Sequence, residues 1–441
     1  MLTPVYERIM GMNFYATSCE GLKGRIRRTP GEFIVEEIDK NGFKWCVDGE
    51  TFRLGEKERF IHFTLVKEGY DTPAALRVIS KRTGIRLKFL SYAGLKDKFA
   101  KTAQRISVPG GFLDKLKNFK HEMIKIKDLT YNKQNIMIGD LGGNGFKIKL
   151  VFADDEENVR DKLLLIREEI FKLGGVPNFY GHQRFGTIRC VNHQIGKLIL
   201  RRRFEDAVKL FLTFKGVRES ESGKNFRENI LSQLEEGVDS RAPGFLFYES
   251  AMLKYLKKKP GDYKGCFLTL SKNISRLFVH SYQSYLFNLT LSERWGKNIP
   301  LNEAVKGDII LESVNGFPKY RRVMSGELGD VNSKVKSGKY RVVLPVIGYD
   351  SKLPDGETGE CVLKILNNEK IKFEDFYIEE APSLSSPGDY RMILSPVYNF
   401  EIEYDEGEHA AWLCFDLEKG CYATVVVREF LKKSAFYEVG Y

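Results

Sequence analysis

Asp97 is the only carboxylate between Arg77 and Arg105, a 29-residue stretch that carries nine lysines and arginines. It sits in Ala93-Gly94-Leu95-Lys96-Asp97-Lys98, with Lys101 and Arg105 close behind. Neighbouring cations favour the ionised form of an acid, so Asp97 is expected to be a carboxylate at neutral pH. The same positive field draws polyanions toward it. A lone acid inside a phosphate-attracting surface suggests that a molecule with a phosphate backbone comes to meet that acid. The pattern equally describes an Asp on a solvated turn that offsets mutually repelling lysines, since structural ion-pair networks also gather charge.

A second cluster lies at Pro177-Asn178-Phe179-Tyr180-Gly181-His182-Gln183-Arg184-Phe185-Gly186. Adjacent aromatics, an amide and an arginine between two glycines are loop chemistry: a ring to stack on a planar ligand, an amide to read polar edges, a cation to hold phosphate. His182 has no evident partner in sequence and reads as a spectator or a substrate contact. Other candidates carry less. Gly142-Gly143-Asn144-Gly145 lacks the Gly-Lys-[Ser/Thr] ending of a phosphate loop and reads as a turn between strands. No strand-GxGxxG-helix unit occurs, which argues against NAD and the common methyl-donor folds. Arg201-Arg202-Arg203 fits a phosphate patch and the wet face of a helix equally well. Tyr282, Tyr285, Leu286 and Phe287 have helical spacing, the pattern of core residues.

These residues must be positioned by more than one core, because 441 residues exceed what a single core ordinarily serves. A net charge of +11 and a pI near 9.0 favour an anionic partner, nucleic acid being the commonest large one. Seven cysteines without a CxxC pair, and six scattered histidines, suggest reduced thiols and no metal site. No apolar run approaches the ~18 residues of a membrane span, and Met1 to Cys19 has no signal-peptide layout. The expectation is a cytoplasmic protein without metal, membrane segment or obligatory protein partner.

The patterning predicts strands over Glu32–Glu37, Arg59–Val66 and Phe146–Val151. A helix is predicted from Thr72, with Asp71 as N-cap, Pro73 in its first turn and Gly84 as its stop. Asp155–Leu173 reads as a helix with an acidic first turn, closed by Gly174-Gly175. Gly216–Asn225 and Glu236–Gly244 read as loops, and Phe278–Trp295 as a long aromatic helix. Strands resume at Glu401–Tyr404, Ala411–Leu417 and Tyr422–Val427 before a short terminal helix. Strand-rich chain thus brackets a more helical middle, the layout of one domain inserted into another.

Ala93-Gly94-Leu95-Lys96-Asp97-Lys98, followed by Ala100, Thr102 and Gln104, resembles the signature of the TruD-type tRNA pseudouridine synthases. The likeness continues through Pro30–Glu37, Gly139–Phe146, Asn178–Gly186, Ser284–Asn288, Tyr422-Ala423-Thr424 and Arg428-Glu429, in family order. It implies an α+β fold: a pseudouridine synthase core of mixed, largely antiparallel sheet with flanking helices, spanning 1–199 and 383–441. An α/β TRUD domain is expected as an insertion over 200–382.

The resemblance further implies that Asp97 is the catalytic aspartate, that Phe33, Asn178 and Tyr422 line a uridine pocket, and that Tyr180 lies beside the target base. Arg27 stands where the family commonly has lysine; it keeps the charge and can pair with Asp97 through its planar fork. Tyr180 replaces a usual Phe, and Phe179 and Tyr422 exchange Tyr and Phe relative to the common pattern. Arg27, Lys96 and Arg184 are expected to hold phosphate or steady Asp97. The implied substrate is tRNA, at uridine 13, and the implied reaction exchanges no electrons, so no cofactor is expected. A non-catalytic RNA-binding protein and an RNA glycosylase that releases uracil remain as alternatives.

Overall fold

The computed structural model describes the chain except residues 50–53, 187, 218, 237–241, 315–316, 435–438 and 441. In chain order its longer strands are β1 (Phe33–Ile38), β2 (Phe60–Glu68), β3 (Lys101–Pro109), β4 (Ile124–Asn132), β5 (Gly143–Phe152), β6 (Ile309–Val314), β7 (Phe317–Arg322), β8 (Tyr340–Val346), β9 (Asp389–Met392), β10 (Tyr398–Asp405) and β11 (Ala410–Glu418). The helices that matter here are α1 (Thr72–Thr83), α2 (Val159–Leu173), α3 (Asn192–Leu200), α4 (Phe204–Thr213), α5 (Glu221–Glu236), α6 (Lys272–Gly296) and α7 (Ala423–Phe430).

The chain divides into two compact units, both discontinuous: Cys19–Gly175 with Ser395–Tyr441, and Met1–Ser18 with Val176–Leu394. The expected insertion over 200–382 lies wholly inside the second of these, which also takes in Met1–Ser18, 176–199 and 383–394.

The first unit is built on a ten-stranded sheet with the path β10-β11-β5-β1-β3-β2-β4, completed by three two-residue strands. Among the described residues only β1 and β3 pair in parallel, with Ile34 opposite Lys101; the other described pairings in this sheet are antiparallel. β1 alternates buried and half-buried positions, turning Phe33, Val35 and Glu37 inward. α1 starts as its sequence dictates. The Asp71 carboxylate accepts from the Ala74 N–H at 2.6 Å, and Gly84 ends the helix in the left-handed region at φ +69°. Its Ala75, Leu76 and Ile79 bury against Ile61, Phe63 and Leu65 of β2 and Ile106 and Val108 of β3.

The second unit is mainly helical. α6 supplies Phe278, Val279, Tyr282 and Leu286 to a core shared with Ile195 and Ile199 of α3 and Ala207, Val208 and Phe211 of α4. A four-stranded sheet in the order β7-β6-β8-β9, antiparallel throughout, completes it.

Four local expectations fail. Tyr422–Val427 is not a strand: Tyr422 is the N-cap of α7, in which Ala423 to Phe430 are all buried. Burial on every side overrides the strand preference of the Val425-Val426-Val427 run. Gly143 to Gly145 do not form a turn; they are the first three residues of β5, paired with both β1 and β11. Gly143 has no side chain because a Cβ there would lie 2.2 Å from the Leu417 carbonyl oxygen. α2 begins at Val159, so its first turn holds only Asp161. Glu156 instead binds the Lys23 N–H at 2.9 Å and the Lys162 ammonium at 2.7 Å. Finally, α5 already begins at Glu221 inside the expected 216–225 loop; residues 237–241 of the other expected loop lie outside the described residues.

Candidate functional site

Asp97 occupies an irregular loop between the Ser91-Tyr92 strand and β3, and its side chain is 46% exposed. Three side chains from different elements grip the backbone of that loop. Thr72, the first residue of α1, accepts from the Lys96 N–H at 2.9 Å and donates its hydroxyl to Gln104 Oε1 at 2.7 Å. Gln104, on β3, donates its amide to the Gly94 carbonyl at 3.0 Å. Lys67, fully buried near the end of β2, donates to the carbonyls of Asp97 at 2.8 Å, Tyr70 at 2.7 Å and Lys96 at 3.4 Å. A free loop would have left those groups to water; here the backbone around the acid is fixed from below while the carboxylate points outward.

The carboxylate itself meets Arg27, whose Nη2 donates to Asp97 Oδ2 at 2.9 Å. Arg27 is 9% exposed at its side chain, lies with its guanidinium 3.9 Å from the Phe33 ring centroid, and has φ +57°. Burial pulls its pKa down and the Asp97 charge works against that fall. A left-handed backbone at a non-glycine residue costs on the order of 1 kcal/mol, so the ion pair and the stacked ring hold Arg27 in an unfavourable conformation. Phe33 in turn packs edge-on to Phe146 at 6.4 Å, and Phe146 stacks with Phe415 at 5.5 Å.

Lys96 turns away from Asp97's solvent side. Its ammonium donates to the Asn144 amide oxygen and lies 3.6 Å from Glu37 Oε2, with both charged residues buried. Burial lowers the Lys96 pKa and raises that of Glu37, each partner opposing the change in the other. Glu37 also accepts from the Arg105 N–H at 3.0 Å, and the Arg105 guanidinium lies 3.8 Å from the Trp45 ring centroid. Burial brings the Arg105 pKa down to about 10. Of the sequence-derived residues, this unit therefore gathers Asp97, Arg27, Phe33 and Lys96. Tyr422 belongs to the same unit as the half-buried N-cap of α7.

The remaining expected residues lie in the other unit and cluster on Arg391. Its guanidinium donates to Asn178 Oδ1 at 2.5 Å and to the Asn178 carbonyl at 2.9 Å, while the Asn178 amide donates to the Met392 carbonyl at 3.0 Å. The same guanidinium lies 4.1 Å from the Tyr180 ring centroid, with Arg184 on that ring at 5.2 Å. Tyr180 also packs edge-on against Phe287 at 5.5 Å, and Asn288 holds its backbone on both sides. Arg184 donates to the Ser284 hydroxyl at 3.1 Å. His182 is buried, 3.5 Å from the Glu7 carboxylate.

Sequence reasoning missed Lys67, Thr72, Glu37 and Arg391. Lys67 did leave a signal, being a lysine at the end of the apolar run Phe63-Thr64-Leu65-Val66; Arg391 left none. The Arg201 to Arg203 run is committed to the protein. Arg201 donates to the Glu369 carbonyl, Arg202 to those of Leu200, Asp375 and Tyr377, and Arg203 pairs with Asp206. Among the described residues no three His, Cys, Asp or Glu side chains are grouped for a metal ion, and no helix is long and apolar enough to cross a membrane.

Comparison with known proteins places this geometry in context. Residues 9–430 match the family model of tRNA pseudouridine synthase D (TruD). The chain is 35% identical over 443 residues to a protein of Methanosarcina acetivorans named probable tRNA pseudouridine synthase D, covering 98% of each chain. A protein of the same name from Thermococcus onnurineus is 36% identical over 438 residues, covering 97% of this chain and 99% of the other. A crystal structure from Methanosarcina mazei carrying the name tRNA pseudouridine synthase D (TruD) superposes with a TM-score of 0.83 at 35% identity, covering 98% of this chain and 99% of that one.

Proposed function

The chain belongs to the TruD family of tRNA pseudouridine synthases, a family of isomerases, and on that premise we propose that Asp97 converts a uridine of tRNA to pseudouridine, with uridine 13 as the target. The observation that carries this reading is one outward carboxylate whose loop is pinned by Lys67, Thr72 and Gln104 and whose oxygen is held by Arg27.

The reaction breaks the N1–C1′ bond, turns the detached uracil and bonds its C5 to C1′. The proton leaving C5 balances the one gained at N1, so atoms and electrons are conserved within the nucleotide. An ionised carboxylate serves two routes. It attacks C1′ as a nucleophile, as in retaining glycosidases, or it removes the C2′ proton to give a glycal. In both, the Arg27 guanidinium fixes one oxygen of Asp97, leaving Oδ1 to face the sugar.

The uridine must leave its stack first, at a cost of a few kcal/mol. Stacking on an aromatic ring returns roughly 1–3 kcal/mol per base. Phe33, Tyr422 and Tyr180 are proposed as such rings. Asn178, buried and bonded to Arg391 and Met392, is proposed from the family likeness to read the uracil edge. Arg184 and Lys96 are proposed to act on phosphate and on the Asp97 loop, respectively.

The test is to incubate unmodified tRNA with the protein and map the product by carbodiimide treatment and primer extension. A stop one nucleotide from position 13 that depends on the protein is expected. Free uracil in the supernatant would instead establish glycosylase chemistry, and bound but unchanged tRNA a non-catalytic binder.

A further inference from the structure

The four-stranded sheet of the second unit has one face that the proposed chemistry does not use. Residues directly opposite one another across a ladder share a face. Ile309 opposes both Arg322 and Val343, and Val343 opposes Met392, so these four side chains point the same way. Tyr320, two residues from Arg322, and Tyr390, two from Met392, therefore share that face as well. Arg321 and Arg391 point to the other side, in line with buried Ile310 and Val342, and Arg391 there serves Asn178 and Tyr180. A single strand, β9, thus turns Arg391 one way and Tyr390 the other.

On the unused face the Tyr320 and Tyr390 rings lie 4.6 Å apart at 33°, and Tyr320 is 39% exposed. They border a cavity of about 680 Å³ that is also lined by Ile309, Arg322, Asp350 and Lys352. Tyr390 is braced by its hydroxyl, which donates to the Lys352 carbonyl at 3.1 Å. Arg322 is half exposed, with Nη1 3.2 Å from Asp355 and Nη2 donating to the Leu353 carbonyl at 2.9 Å. The exposed Lys352 ammonium has no ion-pair partner among the described residues. Asp350 adds an exposed carboxylate on the same rim.

We propose that this sheet face is a second RNA-binding site, in which Tyr320 and Tyr390 stack an unpaired nucleotide of the tRNA while Lys352 and Arg322 hold its phosphate. The inference rests on the tRNA substrate proposed above. Ile309 and Val343 on this face are buried, so the accessible part is the rim that carries Tyr320, Arg322 and Tyr390; aromatic rings displayed on an antiparallel sheet are a recurrent way of holding single-stranded RNA, because any base has a π-face to offer. A cavity of this volume admits one nucleotide, and the chain's net charge of +11 favours a polyanion over a neutral partner. Asp350 repels phosphate but accepts a hydrogen bond from a ribose 2′-hydroxyl or a base amino group, so it suits the sugar and base edge of the same nucleotide.

The test compares the wild-type protein with Tyr320→Leu/Tyr390→Leu and, separately, Lys352→Gln. Leucine keeps apolar bulk over Ile309, and Lys352 is exposed, so the second variant reads the site even if the first folds poorly. Binding of unmodified tRNA, KM and kcat are measured for each. The double variant is expected to raise Kd and KM by roughly 5- to 150-fold, equivalent to about 1–3 kcal/mol of stacking, with kcat within twofold of wild type. Lys352→Gln is expected to weaken binding and make the slope of log K against log salt shallower by about 0.7. Kd and KM within twofold of wild type for both variants, or a loss confined to kcat, overturns the inference. Wild-type pseudouridine formation in the same assay reads the parent proposal independently.

Discussion

Lys67 carries the prediction with the most structure behind it. Its ammonium is fully buried, and its hydrogen bonds go to the carbonyls of Tyr70, Lys96 and Asp97. Burial is the main force on it and lowers its pKa from 10.5 to about 8; the charges of Asp97 and Asp71 resist the fall, and that of Lys96 adds to it. That depression is worth about 3 kcal/mol in favour of the neutral amine. A neutral amine has two N–H groups and a lone pair, so on deprotonation one carbonyl loses its donor and the lone pair faces an acceptor. The grip on the Asp97 backbone weakens as pH rises through about 8, and kcat should show an alkaline limb there.

Stability responds in the opposite sense. Between about 8 and 10.5 the unfolded chain holds the Lys67 proton that the folded chain has released, so the contribution of this group to stability rises with pH across that window. Lys67→Met fills the space without donating. Losing one charged hydrogen bond of about 1.5–3 kcal/mol from the loop predicts a fall in kcat of roughly 10- to 150-fold at pH 7.5, with KM nearly unchanged. The assay is single-site pseudouridine formation at saturating tRNA from pH 6.5 to 9.5, with thermal unfolding followed at the same pH values. A Lys67→Met enzyme within twofold of wild-type kcat, or one that keeps the wild-type alkaline limb, would show that the Lys67 ammonium does not steady the Asp97 loop for catalysis.

Three other outcomes follow from particular contacts. Arg27→Lys keeps the positive charge beside Asp97 and matches the common family residue, so activity should stay within about tenfold, whereas Arg27→Gln leaves Asp97 without its cation and should cost roughly 10²-fold in kcat. Gly143→Ala forces a Cβ to 2.2 Å from the Leu417 carbonyl oxygen, and chemical denaturation should show a loss of roughly 1–3 kcal/mol or more. Affinity for tRNA should fall steeply with salt, with a log–log slope of about −0.7 per phosphate neutralised on single-stranded segments; an affinity insensitive to salt would remove the electrostatic argument.

What the sequence made legible was whatever local rules control. Asp71, Pro73 and Gly84 announce α1 because caps and left-handed stops act within a few residues. β1 and β5 alternate because each is half covered. The isolation of Asp97 among cations was visible as a count, and the pairing with Arg27 followed from a family pattern 70 residues distant. What stayed hidden depends on contacts far apart in the chain. α7 is helical because its whole circumference is buried, and no window of Val425-Val426-Val427 contains that information. Gly143-Asn144-Gly145 looks like turn composition, yet close approach of Leu417 is what demands glycine. Lys67 and Thr72 act on the Asp97 loop from 30 and 24 residues away through its backbone groups, so even the odd lysine ending the Phe63–Val66 apolar run does not say what it binds. Arg391 meets Asn178 across 213 residues.

The most direct measurement compares wild type with Asp97→Asn on one unmodified tRNA, reading Kd by equilibrium binding and pseudouridine by carbodiimide primer extension. Asparagine preserves shape and can still meet Arg27, so Kd is expected within a few-fold of wild type, with no detectable isomerisation. Normal turnover by Asp97→Asn at saturating tRNA, with only weaker binding, would contradict it.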